Sequence, residues 1–251
     1  MGRIIDRALA QNARIFVDAE HDKFQHTIDR WTIDLMRRHN RNGKMLIYNT
    51  IQAYLKNARQ KVEHHLQLAH TEGWTLAFKL VRGAYIAQDP RHIIHDTKDQ
   101  TDDCYNSITR DLLTSNMPGI PRSEFPSIGL LLAGHNTESV EKATSLVREL
   151  ARKGTLRTVP EFGQLQGMSD SLGCRILQDS EAMNKELASM GKRVVSLKVY
   201  KATPWGSVQE CMQYLIRRAV ENRAATERMR DGMRELAAEL RRRIVGRLWR
   251  R

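Results

Sequence analysis

Two adjacent arginines, Arg217 and Arg218, stand in a stretch with helical patterning. Neighbours on a helix diverge by about 100°, so the pair forms no flat patch, yet both guanidinium groups can converge on a small anion lying over the helix. Their fork geometry suits a carboxylate; a solvated basic face explains the same residues. Asp18 follows Ile15, Phe16 and Val17. A carboxylate there needs a partner or an opening to water, or else it caps the next helix. Lys79 interrupts an apolar run that ends at Gly83. A glycine lets backbone approach a ligand closely, although KLVRG also reads as a strand with one snorkelling lysine. His135 and Asn136 follow another apolar run and fit either a ligand contact or a capping turn.

These residues need elements to position them, and the chain alternates short apolar runs with amphipathic ones. Strands are predicted over residues 14–18, 45–49, 76–81 and 128–133, within 155–166, and over 194–200. Helices are predicted around residues 28–36, 51–70, 105–113 and 138–152, with helix after the Pro204-Trp205-Gly206 turn. Residues 87–103 and 117–126 read as loops. Such alternation implies parallel strands joined by crossover helices. Asp18, Gln52, Tyr85, His135, Asn136 and Gln166 fall at or just after strand ends, the face that carries the active site in a (β/α) barrel. Six strands are visible where such a barrel needs eight, so a further strand is expected within 100–127 or 170–195, or ahead of Met1. No glycine-rich GxGxxG or GxxxxGKS loop follows any strand.

Composition narrows the function classes. The 251 residues carry a net charge of +12, but the stretch from Arg217 onward, with 12 arginines against 5 acidic residues, supplies +7 of it. The remaining excess is ordinary, and no aromatic-interleaved basic groove appears, so nucleic acid is not an expected partner. Cys104, Cys174 and Cys211 are widely spaced, which argues against a disulfide framework or zinc site and fits a reducing compartment. His64 with His65, and His92 with His95, lack a carboxylate or cysteine at matching spacing, so no metal is expected. Ser169 and Ser171 have no nearby base, and nothing suggests a hydrolase. No run is long and apolar enough to span a bilayer, and the first ten residues show no signal-peptide core.

In order along the chain, VDAE (17–20), TIQAYLK (50–56), KLVRGAY (79–85), GHN (134–136), EFGQLQGM (161–168) and YLIRRAVEN (214–222) resemble the proline dehydrogenase family. The likeness runs over residues 14–222. It implies α/β architecture, a distorted (β/α)8 TIM barrel over residues 1–223; beyond it, apolar spacing among arginines predicts a basic amphipathic helix over 224–251. It also implies FAD and oxidation of L-proline to 1-pyrroline-5-carboxylate, with hydride passing from substrate C5 to flavin N5. Electrons then go to a quinone, on the matrix side of the mitochondrial inner membrane. By the same resemblance Arg217 and Arg218 hold the substrate carboxylate beside Tyr214, and Asp18 joins a buried charge network that orients them. Tyr85 and Leu165 pack around the proline ring, a positioning effect. Gln52, Lys79, Val81, Gly83 and Ala84 contact the flavin, with Lys79 stabilising the charge of its reduced form. His135 and Asn136 meet the pyrophosphate and adenosine part, and Glu221 lies near the FAD.

Three departures bear on activity. The family's opening strand carries a lysine of the substrate network, and no segment before VDAE supplies it, so the chain is expected to lack that strand. Ala202 stands where many relatives have a tyrosine near the proline ring, which leaves room for hydroxyproline or another substituted proline. Gly134 replaces the usual threonine before His-Asn. A catalytically dead relative, or a non-enzymatic basic adaptor, stays open beside the enzyme. Met229, Met233, Leu236, Leu240, Ile244 and Leu248 form one apolar stripe among arginines. That stripe fits packing on the barrel or on a partner, or peripheral contact of residues 229–251 with anionic lipid.

Overall fold

The computed structural model describes residues 2–221 and residue 241, without the side chains of residues 217–221. The expected basic helix over 224–251, with its apolar stripe, lies outside the described residues apart from Arg241. Helix α1 (Gly2–Ala10) leads into β1 (Ile15–Phe16), α2 (Asp22–His39), β2 (Ile47–Gln52), α3 (Ala58–Glu72) and β3 (Ala77–Val81). Then follow α4 (Lys98–Leu113), β4 (Gly129–Ala133), α5 (Thr137–Lys153), β5 (Glu161–Leu165), α6 (Asp170–Ser189), β6 (Lys198–Ala202) and α7 (Val208–Glu221). The six strands form one sheet in chain order, and every neighbouring pair is parallel. This is the α/β architecture that the strand and helix alternation implies.

The sheet is curled. Strands one and five of a flat sheet would lie about 19 Å apart at their usual spacing, beyond the joint reach of two side chains. Yet Arg14, at the foot of β1, pairs with Glu161 of β5, and its guanidinium lies 5.1 Å from the ring centre of Tyr200 on β6. Tyr48 of β2 accepts a hydrogen bond from Arg14 at 3.1 Å. These contacts define the interior of an open barrel, and the twofold alternation of a strand then sorts the rest. Lys79, Val81, Ala133, Leu165 and Ala202 face inward. Ile47, Ile51, Phe78, Leu80, Leu130, Leu132 and Phe162 face outward into the main core beneath the helices.

Several sequence expectations need adjustment. Neither 100–127 nor 170–195 holds a strand: α4 fills the first with a short 3-10 turn, and α6 fills most of the second. The helix expected from residue 51 begins at Ala58, because Ile51 and Gln52 continue β2 in register with Leu80 and Val81. The loop expected to reach residue 103 ends at Thr97, whose hydroxyl accepts from the Gln100 backbone while the Gln100 side chain reaches back to the Thr97 N–H. That reciprocal capping box starts α4 early. The last strand lies at 198–202 rather than 194–200, paired with β5 from Glu161↔Lys198 to Leu165↔Ala202.

Candidate active site at the mouth of the curled sheet

The C-terminal ends of the strands open into one mouth. Lys79 projects into it from β3, and its ammonium pairs with Asp18 just beyond β1. The lysine side chain is 20% exposed and the carboxylate 77%, so this pair opens to solvent rather than lying buried. Asp18 is not the cap of α2, a position held by His21. Of the readings available for Asp18, the partnered carboxylate at the opening is the one observed.

Gln52 is buried at the top of β2 and ties two neighbouring loops together. Its Nε2 donates to the Glu20 carbonyl at 3.1 Å, and its Oε1 lies 3.4 Å from the Ala84 backbone N–H. Gly83 has φ of +142°, and a Cβ there would lie 1.9 Å from Cδ1 of Tyr54. Only glycine allows the β3 loop to cross that ring so closely. Tyr85 is half-buried, lies tilted against His21 with ring centres 4.2 Å apart, and donates its hydroxyl to the Ala19 carbonyl at 3.3 Å.

On the other side of the mouth, Leu165 and Ala202 stand directly opposite each other in the β5–β6 register. The Leu165 backbone N–H donates to Nε2 of His135 at 3.0 Å, so that ring nitrogen carries a lone pair. Asn136 caps α5, its side-chain oxygen accepting from the Ser139 backbone at 2.9 Å. The capping role open for Asn136 is therefore filled, with the side-chain amide nitrogen uncommitted to it. Tyr214 is half-buried on α7. Arg217, Arg218 and Glu221 have backbone in α7, but their side chains lie outside the described residues.

The structure adds residues that carry no local signal. Arg82 points out of the barrel, donating to Asp102 on α4 at 2.6 Å and to Ser139 on α5 at 2.8 Å. Its guanidinium lies 4.6 Å from the ring centre of Tyr105. One arginine thus fixes two helices against the end of β3. Burial alone would raise the Asp102 carboxyl, but the hydrogen bonds and charges of Lys98 and Arg82 hold it below its ordinary range. Asp89 lies almost fully buried behind Tyr85.

The donor set can be weighed against a flavin. A flat ring system needs an apolar wall and donors along one edge. Val81, Ala133, Leu165 and Ala202 are apolar residues on the inward face, and Lys79, Gln52 and the Ala84 N–H are polar groups beside Val81 at the ends of β2 and β3. The chemistry of these residues fits such a group.

A curled parallel sheet with its polar residues at the C-terminal mouth defines an enzyme-type (β/α) barrel. The family model described as proline dehydrogenase matches residues 1–231, and the chain belongs to the proline dehydrogenase family. It is 31% identical over 240 residues to a probable mitochondrial proline dehydrogenase of Schizosaccharomyces pombe, covering 92% of this chain and 46% of that protein. It is 32% identical over 255 residues to a hydroxyproline dehydrogenase of Bos taurus, covering 98% of this chain and 50% of the relative. The chain thus spans about half the length, or less, of these curated relatives. A solved variant of proline utilization A from Bradyrhizobium japonicum superposes with a TM-score of 0.64 at 25% identity, over 88% of this chain and 20% of that one.

Proposed function

We propose that the protein oxidises a cyclic secondary amino acid, L-proline or a hydroxylated proline, to the corresponding ring imine, with FAD as the electron acceptor. The observation that carries the reading is the Lys79–Asp18 ion pair inside the mouth of a family barrel, opposite the apolar Leu165–Ala202 pair. When bound, FAD supplies the two-electron acceptor that takes a hydride from the ring carbon next to nitrogen.

The chain's own residues have separable tasks. Lys79 brings a positive charge, held in place before the reaction, to the side of the site where negative charge accumulates on reduction. Asp18 holds that ammonium in place. Tyr85 and Leu165 confine the substrate ring from two sides, restricting it to a reactive orientation. Arg217 and Arg218 take the carboxylate by their forked donors. Tyr214 lines the same helix, while Gln52, Val81, Gly83, Ala84, His135, Asn136 and Glu221 serve the cofactor.

Ala202 favours a second substrate. Its methyl group leaves space above the ring that a tyrosine would fill, and a ring hydroxyl needs such space. The likeness to a hydroxyproline dehydrogenase of Bos taurus at 32% identity supports the same reading. The mitochondrial designation of the Schizosaccharomyces pombe relative supports a mitochondrial location. Within it we place the protein on the matrix side of the inner membrane, delivering electrons to a quinone.

The test is optical. Purified protein supplied with FAD should hold a yellow chromophore that proline or hydroxyproline bleaches in the absence of oxygen. Protein that stays colourless after FAD addition would sink the reading.

A further inference from the structure

Behind Tyr85 lies a junction that the substrate and cofactor assignments do not use. The Asp89 side chain is 2% exposed, and both carboxylate oxygens are engaged. One accepts from the Tyr54 hydroxyl, after the end of β2. The other accepts from the Asp22 backbone N–H at 3.0 Å and lies 3.8 Å from Nδ1 of His21. His21 offers α2 no side-chain cap of its own. Asp89 therefore caps α2 from a distant loop, where a carboxylate is favoured by the exposed N–H groups and the helix dipole. Burial and the Asp89 charge also push the Tyr54 hydroxyl upward in pKa, keeping it a donor.

Tyr85 sits on this junction at two points. Its ring lies tilted against that of His21, and its carbonyl accepts from the Gln88 and Asp89 backbone N–H groups at 2.9 Å each. The Tyr54 ring in turn fills the space against Gly83. One buried carboxylate thus joins the loops that follow β1, β2 and β3, with Tyr85 between them.

We propose that Asp89 is a positioning residue that sets the place of Tyr85 over the mouth, through His21 and Tyr54. This rests on the reading of Tyr85 as a wall of the substrate site. Freed from Asp89, the start of α2 loses its cap, His21 loses its neighbour, and the Tyr85 loop loses its tether together with them.

The test uses the full chain and Asp89→Ala, which removes both oxygens. Hydrogen exchange without ligand should show residues 19–23 and 83–89 losing protection together, by about tenfold or more, while the core strands keep theirs. With substrate, KM should rise about tenfold and kcat change less than about twofold, the signature of lost ground-state and transition-state binding alike. Asp89→Glu should recover part of both effects. If Asp89→Ala does not fold, Tyr54→Phe removes one hydroxyl and should shift exchange and KM in the same directions by a smaller factor. Unchanged protection at 19–23 in a folded variant overturns the proposal, as does an unchanged KM. Should the wild-type chain bind FAD yet resist bleaching by substrate, the functional reading fails, and the exchange pattern alone decides the role of Asp89.

Discussion

Arg14, at the foot of β1, and Glu161, at the start of β5, form an ion pair across the interior of the sheet. The aromatic rings of Phe16, Tyr48 and Tyr200 surround the guanidinium, with ring centres 5.1 to 5.6 Å away. The pair is partly shielded, at 26% and 16% exposure. It links β1, at one edge of the sheet, to β5, next to the other edge; among the described residues, backbone hydrogen bonds join β1 only to β2.

Removing Glu161 leaves the Arg14 charge among rings, and removing Arg14 leaves the Glu161 carboxylate to Tyr200 and the more distant Lys198. Arg14→Met should destabilise the fold by about 2–4 kcal/mol, toward the lower end of what breaking a buried pair costs. Glu161→Gln should behave similarly. In urea unfolding the double variant should be more stable than the sum of the single losses predicts, by about 1 kcal/mol or more. Additive losses would show that the two charges do not act on each other.

Gly129 provides room in the same interior layer. A Cβ there would meet the Tyr48 hydroxyl oxygen at 2.7 Å and Cβ of Ala77 at 2.8 Å. Ala77 of the adjacent β3 and the Tyr48 hydroxyl reaching from β2 block the added methyl, so Gly129→Ala should cost about 1–3 kcal/mol by overpacking. Combining it with Tyr48→Phe removes one obstruction and should recover part of that loss in thermal or urea unfolding. A Gly129→Ala protein as stable as the wild type would contradict this packing.

Some of this architecture is readable from the chain and some is not. The third strand is legible because KLVRG alternates an inward lysine with outward leucine, ending on the glycine that the Tyr54 ring demands. The α6 helix is harder to see: its buried residues Leu172, Ile176, Met183 and Leu187 leave six residues between Ile176 and Met183, where small Ser180 holds the core side. The capping box at Thr97 and Gln100 has a local signature, hidden in a polar stretch that otherwise reads as loop. The Asp89 junction has no local signature. Its partners lie 35 and 67 residues away, so only the folded chain brings them together. At the mouth, Asp18 and Lys79 stand out individually as misplaced charges, but their pairing across 61 residues follows from the curl of the sheet.

His65 gives stability a particular pH dependence. It is 6% exposed on α3, and burial lowers its pKa from 6.5 to about 4; Asp29 opposes the shift and Lys61 assists it. The folded state therefore binds this proton less readily than the unfolded chain, so the contribution is complete above the unfolded pKa. It falls as pH drops from about 6.5 toward 4, then levels off. The full loss is on the order of 3 kcal/mol. Urea unfolding across this window should show the decline in wild type and a flatter profile in His65→Gln. Parallel profiles would assign the dependence to other groups.

Lys79→Met tests charge placement at the site. The substitution keeps most of the side-chain volume and removes the partner of an exposed carboxylate, so the fold should survive with little loss. Reduction of the bound flavin by substrate should slow by about a hundredfold, the scale for removing one preorganised donor. Rapid-mixing measurement of flavin bleaching reads this directly. By contrast, Arg217→Met or Arg218→Met should leave the yellow colour intact and abolish bleaching at ordinary substrate concentrations. Loss of colour in those variants would move the arginines from the substrate to the cofactor.

Ala202 tests substrate choice. It lies opposite Leu165 on the next strand, on the inward face of the mouth, where a larger side chain takes space from a ring substituent. Ala202→Tyr should lower kcat/KM for hydroxyproline by about 10–100-fold while changing that for proline much less, because filling a pocket discriminates on the scale of about 1–3 kcal/mol. The comparison requires both substrates on the same variant, since a general loss of activity would lower both values equally. An equal decline would mean that Ala202 supports the barrel mouth without sensing the ring. A selective gain for hydroxyproline would place the substituent on the opposite face, away from β6.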